Sequence, residues 1–91
     1  MEFQIVEGRI YYEDERNEVL AEVTYVPVSE GVVDIDHTYV SPALRGQGIA
    51  GKLMEALAAD LRARGLKATA PCSYAEIWLS RNRAANEDII A

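Results

Sequence analysis

Around residue 45 the chain changes its hydrophobic period, and the change runs through a loop with two closely spaced glycines. Upstream, Val19, Ala21, Val23 and Tyr25 alternate with Leu20, Glu22, Thr24 and Val26, the period of two of a half-buried strand. Downstream, Ile49, Leu53, Met54, Leu57, Ala58 and Leu61 recur at helical spacing, while Lys52, Glu55, Asp60, Arg62 and Arg64 fall on the other side. Residues 41–51 therefore close a strand and open an amphipathic helix.

The rest of the chain follows from the same periodicities. Residues 3–6 and 9–12 are short apolar and aromatic runs parted by Glu7-Gly8, and residues 13–17 form a polar turn. The alternating run is expected to end at Pro27, because proline cannot donate to a ladder. After the turn Ser29-Glu30-Gly31 comes a β-rich run over 32–40. A strict period of two there puts Val33, Ile35, His37 and Tyr39 on one face and Asp34, Asp36 and Thr38 on the other. These runs read as an antiparallel meander. Past the helix, Gly65 is a natural C-terminal stop, with Arg62 and Arg64 complementing the negative helix end. Residues 66–70 form a short strand. A second helix then opens on a capping box, Ser73 and Glu76, with Tyr74, Ile77 and Trp78 as its buried face. Beyond Arg83 the pattern shows no element. The expectation is one domain over 1–83 with a fraying C-terminal tail over 84–91.

Composition removes several classes. With 91 residues the chain is sized for one modest core. Nine Lys and Arg against fifteen Asp and Glu give a formal charge of −6, which argues against a nucleic-acid or anionic-membrane binder. No apolar run approaches the length of a membrane helix, and the N-terminus lacks the pattern of a signal peptide. One cysteine, Cys72, and one histidine, His37, leave no disulfide and no zinc constellation, so a metal-free, cytoplasmic protein is expected.

The glycine loop points to a phosphate. Two glycines at a helix start leave main-chain N–H groups unobstructed, and the helix dipole adds positive potential. Gly46-x-Gly48-x-x-Gly51 matches a dinucleotide fingerprint, but the next strand ends Ala70-Pro71 with no acid for a ribose, and a meander precedes the loop. Gly46 to Lys52 also satisfies the start of a P-loop, yet Leu53 stands where Ser or Thr should hold a magnesium ion.

A third pattern fits the whole layout. Arg45-x-x-Gly48-x-Ala50, following His37-Thr38-Tyr39-Val40 and opening a helix, resembles the acetyl-CoA pyrophosphate loop of the GNAT superfamily of N-acetyltransferases. The chain is most similar to a small subgroup of about a hundred residues. The resemblance also takes in Pro71-Cys72-Ser73-Tyr74 and Arg81-Asn82, and so spans about residues 34–83. It implies an α+β fold with a mixed sheet: the antiparallel meander, then a β-α-β crossover that makes the strands on either side of the first helix parallel, then a C-terminal helix. It further implies that acetyl-CoA lies between those two strands. Its pantetheine arm would bond main-chain groups around Tyr39 and Val40, and its pyrophosphate the segment Arg45, Gly46, Gln47, Gly48, Ile49 and Ala50.

The same resemblance makes Cys72 the active-site residue. A thiol beside a helix N-terminus feels positive potential, which raises its thiolate fraction, and thioester exchange through an S-acetyl-Cys72 is feasible; a buried small hydrophobe is the plain alternative. His37 is the one side chain whose ordinary titration range lies near neutrality, so it serves either as a base or as a packed core residue. Tyr74 is a candidate acid for the departing CoA thiolate, or simply core. Asn82 and Arg81 offer a cofactor contact or a helix-end cap. Larger members of the superfamily carry extra helices after their first strand and a further C-terminal hairpin, both shaping the acceptor pocket, and this stretch has neither. The expected function is a minimal acetyl-CoA-dependent N-acetyltransferase acting on an amine acceptor; the alternative is an acyl-CoA-binding module or subunit without its own turnover.

Overall fold

The computed structural model describes residues 2–71 and 73–91, the side chain of residue 73 excepted. Five strands form one sheet in sequence order: β1 (Gln4–Val6), β2 (Arg9–Glu13), β3 (Val19–Ser29), β4 (Val32–Val40) and β5 (Lys67–Thr69). β1 to β4 are the antiparallel meander, and β5 runs parallel to β4. Helix α1 (Ile49–Arg64) makes the crossover between them, followed by α2 (Ser73–Arg81) and α3 (Arg83–Asn86). The expected mixed α+β architecture is thus the one observed.

Among the described elements α1 supplies the largest share of the core. Leu53, Met54, Leu57 and Leu61 are buried against Ile10, Val23, Tyr25 and Ile35 of the sheet. Each such side chain contributes at most about 1.5–3 kcal/mol relative to exposure. Gly65 ends the helix in the left-handed region at φ +71°, its N–H reaching the carbonyls of Arg62 and Leu61. The buried Tyr25 hydroxyl donates to Asp60 at 3.2 Å, and Arg64 binds the same carboxylate at 3.0 Å. Burial pushes the Tyr25 phenol above its ordinary value.

All the helices lie on one side of the sheet, because Ala75, Leu79 and Ile89 join the same buried cluster as α1. No described residue that faces the other side is buried.

Four features depart from the sequence pattern, each for a physical reason. β3 does not stop at Pro27 but pairs it with Val33 and runs on to Ser29. The Tyr25 amide points towards β2 and bonds Gly8, so residue 27 points the same way, past the end of β2, where no donor is needed. β4 contains a bulge: Thr24 pairs with His37 but Tyr25 with Ile35, leaving Asp36 as the extra residue. The face pattern therefore breaks. Val33 and Ile35 are buried, Thr38 and Val40 lie on the same core side opposite Val23 and Ala21, and His37 and Tyr39 turn to the helix-free side. In α2 the buried positions are Ala75 and Leu79, while Ile77 is 51% exposed and Tyr74 37% exposed. Trp78 is half-buried beside Gly51.

The fourth departure is at the C-terminal end of the sequence, where no element was expected. Arg83–Asn86 form α3, a 3₁₀ turn follows over Glu87–Ile89, Ile89 is buried, and Ile90 bridges to Ala68 alongside β5. Arg62 holds this segment by pairing with Asp88 and reaching Asn86 at 3.4 Å. A hydrogen bond from Arg62 keeps the Asp88 carboxyl below its ordinary value. A depressed carboxyl contributes stability above its unfolded pKa and loses it as pH falls through the folded one. The protection of the Ala91 amide, which donates to Ala68 at 2.9 Å, is therefore expected to drop as pH falls below about 4. In Asp88→Asn it should already be reduced at neutral pH. Hydrogen exchange that is indifferent to both changes would show that Arg62 does not hold the segment.

Candidate active site

Three pairs, Val32 with Lys67, Val33 with Ala68 and Asp34 with Thr69, join β4 to β5. β5 then ends, while β4 continues for six residues with no described strand on that side. The last pair is tied by the Thr69 hydroxyl, which donates to the Asp34 carboxylate. Past it, Thr24 donates to Asp36 at 2.6 Å and fixes the bulge. The result is a wedge between β4 and the chain leaving β5, with main-chain groups of residues 35–40 along one wall.

At the open end stands the glycine loop. Ser41 starts a 3₁₀ turn over Pro42–Leu44, its hydroxyl accepting from the Ala43 amide at 3.3 Å. Gly46 and Gly48 then take φ of +82° and +70°, a region L side chains rarely enter, and Gly48 opens α1. Among the described residues no main-chain or side-chain group accepts from the amides of residues 46–50, and the first helical bond is Lys52 to Gly48 at 3.2 Å. A Cβ on Gly46 or Gly48 would meet nothing within 4 Å. Val40, Leu44, Arg45, Gly46, Gly48, Ile49 and Ala50 line a crevice of about 240 Å³ here. Free amides, a helix start and an unobstructed approach fit a diphosphate.

The candidate residues are only partly brought together. Gln47 is exposed beside the crevice without lining it. Tyr39 stands on the helix-free face next to it. His37 shares that face with its side chain 54% exposed, and its Nε2 lies 3.9 Å from Glu22 Oε1. Tyr74 sits in the first turn of α2, where partial burial raises its phenol above the ordinary value and Arg81 opposes the shift. Cys72, and with it the predicted thiol, lies outside the described residues, as does the side chain of the predicted cap Ser73. Asn82 is a helix-end residue: its Nδ2 donates to the Trp78 carbonyl and its own carbonyl accepts from Asn86, both at 2.9 Å. It lines a separate crevice of about 550 Å³ between α1, α2 and α3.

The family model described as GCN5-related N-acetyl-transferase matches residues 9–89, most of the chain. The chain belongs to this family. Its members are acyltransferases that take acyl-CoA as cosubstrate. Among solved structures, the chain is similar to a GCN5-like N-acetyltransferase candidate from Staphylococcus aureus, at 37% identity and TM-score 0.80, over 99% of this chain and 87% of that one. It is also similar to an acetyltransferase candidate from Agrobacterium tumefaciens, at 25% identity and TM-score 0.63, over 82% of this chain and 55% of that one. An acyl-CoA N-acyltransferase candidate from Klebsiella pneumoniae shares the fold at 24% identity and TM-score 0.64, over 81% and 55%. The GCN5-related chain thus spans just over half the length of these last two. No curated protein matches it. No helix among the described residues is long and apolar enough to cross a membrane.

Sequence reasoning did not single out Glu22, which lies beside His37 on the helix-free face, or Arg9, which binds Glu22. Their signal was the polar half of the β2 and β3 alternation, but which partners it meets depends on register.

If the amides of residues 46–50 hold the diphosphate, Gly48→Ala should weaken binding of coenzyme A measured by calorimetry. A left-handed alanine costs about 1–2 kcal/mol, so a lower melting temperature should accompany it. Unchanged affinity in a folded Gly48→Ala protein would remove the loop from the site.

Proposed function

We propose that the chain transfers an acetyl group from acetyl-CoA to an amine, with the cosubstrate laid along the wedge between β4 and β5. The observation that carries this reading is the row of amides at residues 46–50, from which no described group accepts, at the mouth of a cleft where β5 stops pairing with β4 after Asp34. Arg45, Gly46, Gln47, Gly48, Ile49 and Ala50 would bind the diphosphate, and main-chain groups at Tyr39 and Val40 the pantetheine arm. The arm then runs towards the closed end of the wedge, which brings the acyl carbonyl level with residues 35–37.

Three side chains are assigned to the chemistry. Cys72 follows the end of β5 by three residues and immediately precedes α2, where a helix start favours a thiolate. Its thiolate attacks the thioester carbonyl, the carbon–sulfur bond to CoA breaks, and the acetyl group passes to Cys72. A neutral amine then attacks S-acetyl-Cys72 and regenerates the thiolate. His37, exposed beside the wedge, takes the proton that the acceptor must lose. Tyr74, whose raised phenol holds its proton at neutral pH, supplies one to the departing CoA thiolate. The formal charge of −6 favours cationic acceptors such as a lysine side chain, a protein N-terminus or a polyamine.

Incubation with acetyl-CoA, followed by intact-mass measurement, should show one acetyl adduct on Cys72. The adduct should discharge onto added Nα-acetyl-lysine methylamide or spermidine. Cys72→Ala should lose transfer and keep coenzyme A binding. Amine product without an adduct would point to direct transfer. Coenzyme A binding with neither adduct nor product would make the chain a binding module.

A further inference from the structure

The helix-free face carries a chain of contacts that ends at His37. β-register places Tyr11 and Tyr39 on either side of Glu22, and Arg9 and His37 on either side of Thr24. Arg9 Nε donates to Glu22 Oε2, and the Arg9 guanidinium lies over the Tyr11 ring at 3.8 Å from its centroid. This leaves Oε1 of Glu22 towards His37 Nε2 at 3.9 Å. Among the described residues, the other groups around the imidazole on this face are Thr24 and Asp36, which bond each other, and Tyr39. α2 reaches β4 from the opposite side of the sheet.

We propose that Arg9 and Glu22 are positioning residues for His37: Arg9 fixes the Glu22 carboxylate, and that carboxylate holds and stabilises the imidazolium formed when His37 accepts the acceptor's proton. The idea rests on the reading of His37 as the base. The arrangement suits the task. Arg9 anchors one oxygen of the carboxylate and leaves the other for the ring, so the negative charge stays in place without being fully exposed to solvent. The proton moves from the acceptor nitrogen to the imidazole and later to water; Glu22 remains ionised throughout.

The test uses the whole chain, whose lone histidine gives a single set of imidazole resonances. Glu22→Gln removes the negative charge and leaves Arg9, so the titration midpoint of His37 followed by NMR should fall by roughly half a unit. Arg9→Gln leaves Glu22 unneutralised, so the midpoint should rise by a similar amount. Opposite shifts are the signature, because loss of mere packing would not reverse sign between the two. In the acetyl-transfer assay with Nα-acetyl-lysine methylamide, the alkaline-rising limb of kcat should follow each shift. In Glu22→Gln kcat should drop about threefold with KM unchanged. Shifts of the same sign, or none, overturn the proposal. So do opposite shifts that leave kcat and its pH profile untouched. Full transfer by His37→Gln would overturn the assignment of the base instead, and the titrations would still report whether the pair grips the ring.

Discussion

The brevity of the β4–β5 pairing governs everything that can bind here. A parallel pair that ran the length of both strands would close the sheet and satisfy every main-chain group along β4. Instead the pairing ends at Asp34 and Thr69, and β4 runs on to Val40 with no described strand beside it on that edge. Two features frame the opening. Thr69 seals the closed end by bonding Asp34, and the bulge at Asp36, fixed by Thr24, interrupts β4 just beyond it.

That bulge also decides which chemistry reaches which side. Without it, alternation would send His37 and Tyr39 into the face that α1 covers, and Thr38 outwards. Burying an imidazole there without a partner would cost several kcal/mol, and the open side would lose its imidazole. One extra residue avoids both. It leaves the smaller Thr38 and Val40 opposite Val23 and Ala21, and sets His37 beside Glu22 and Thr24. Its most direct effect is therefore to separate packing from solvent-facing polar groups along a single strand.

The parts legible in the sequence are those governed by local period and by glycine. The meander, the bounds of α1, its stop at Gly65 and the loop over residues 45–50 follow from alternation, helical spacing and positions that need positive φ. What stayed hidden depends on neighbours in space. A bulge leaves no mark in one strand's pattern, because it belongs to the pairing of two. Pro27 ends a strand only if a partner needs its N–H, and β2 had already finished. The buried face of α2 is set by small Ala75 and by Leu79 rather than by the larger Tyr74 and Ile77, because α2 packs close to a helix and a sheet already in place. The segment after Arg83 is held by Arg62, a side chain about twenty residues earlier whose role nothing local announces.

With the helices all on one face, the two sides of the sheet become unequal in a way that bears on acceptor choice. α1 and α2 pack Leu53, Leu57, Ala75 and Leu79 into the core on one side of the sheet. On the proposed reading an amine comes from the other side, over a surface built from β2, β3 and β4. That surface holds the carboxylates of Glu22, Asp34 and Asp36 against the single guanidinium of Arg9, so it draws a cation towards the imidazole. On the same reading, a flat platform selects by charge and reach rather than by shape. A lysine side chain or a polyamine would satisfy both, since each carries its reactive nitrogen at the end of a flexible chain.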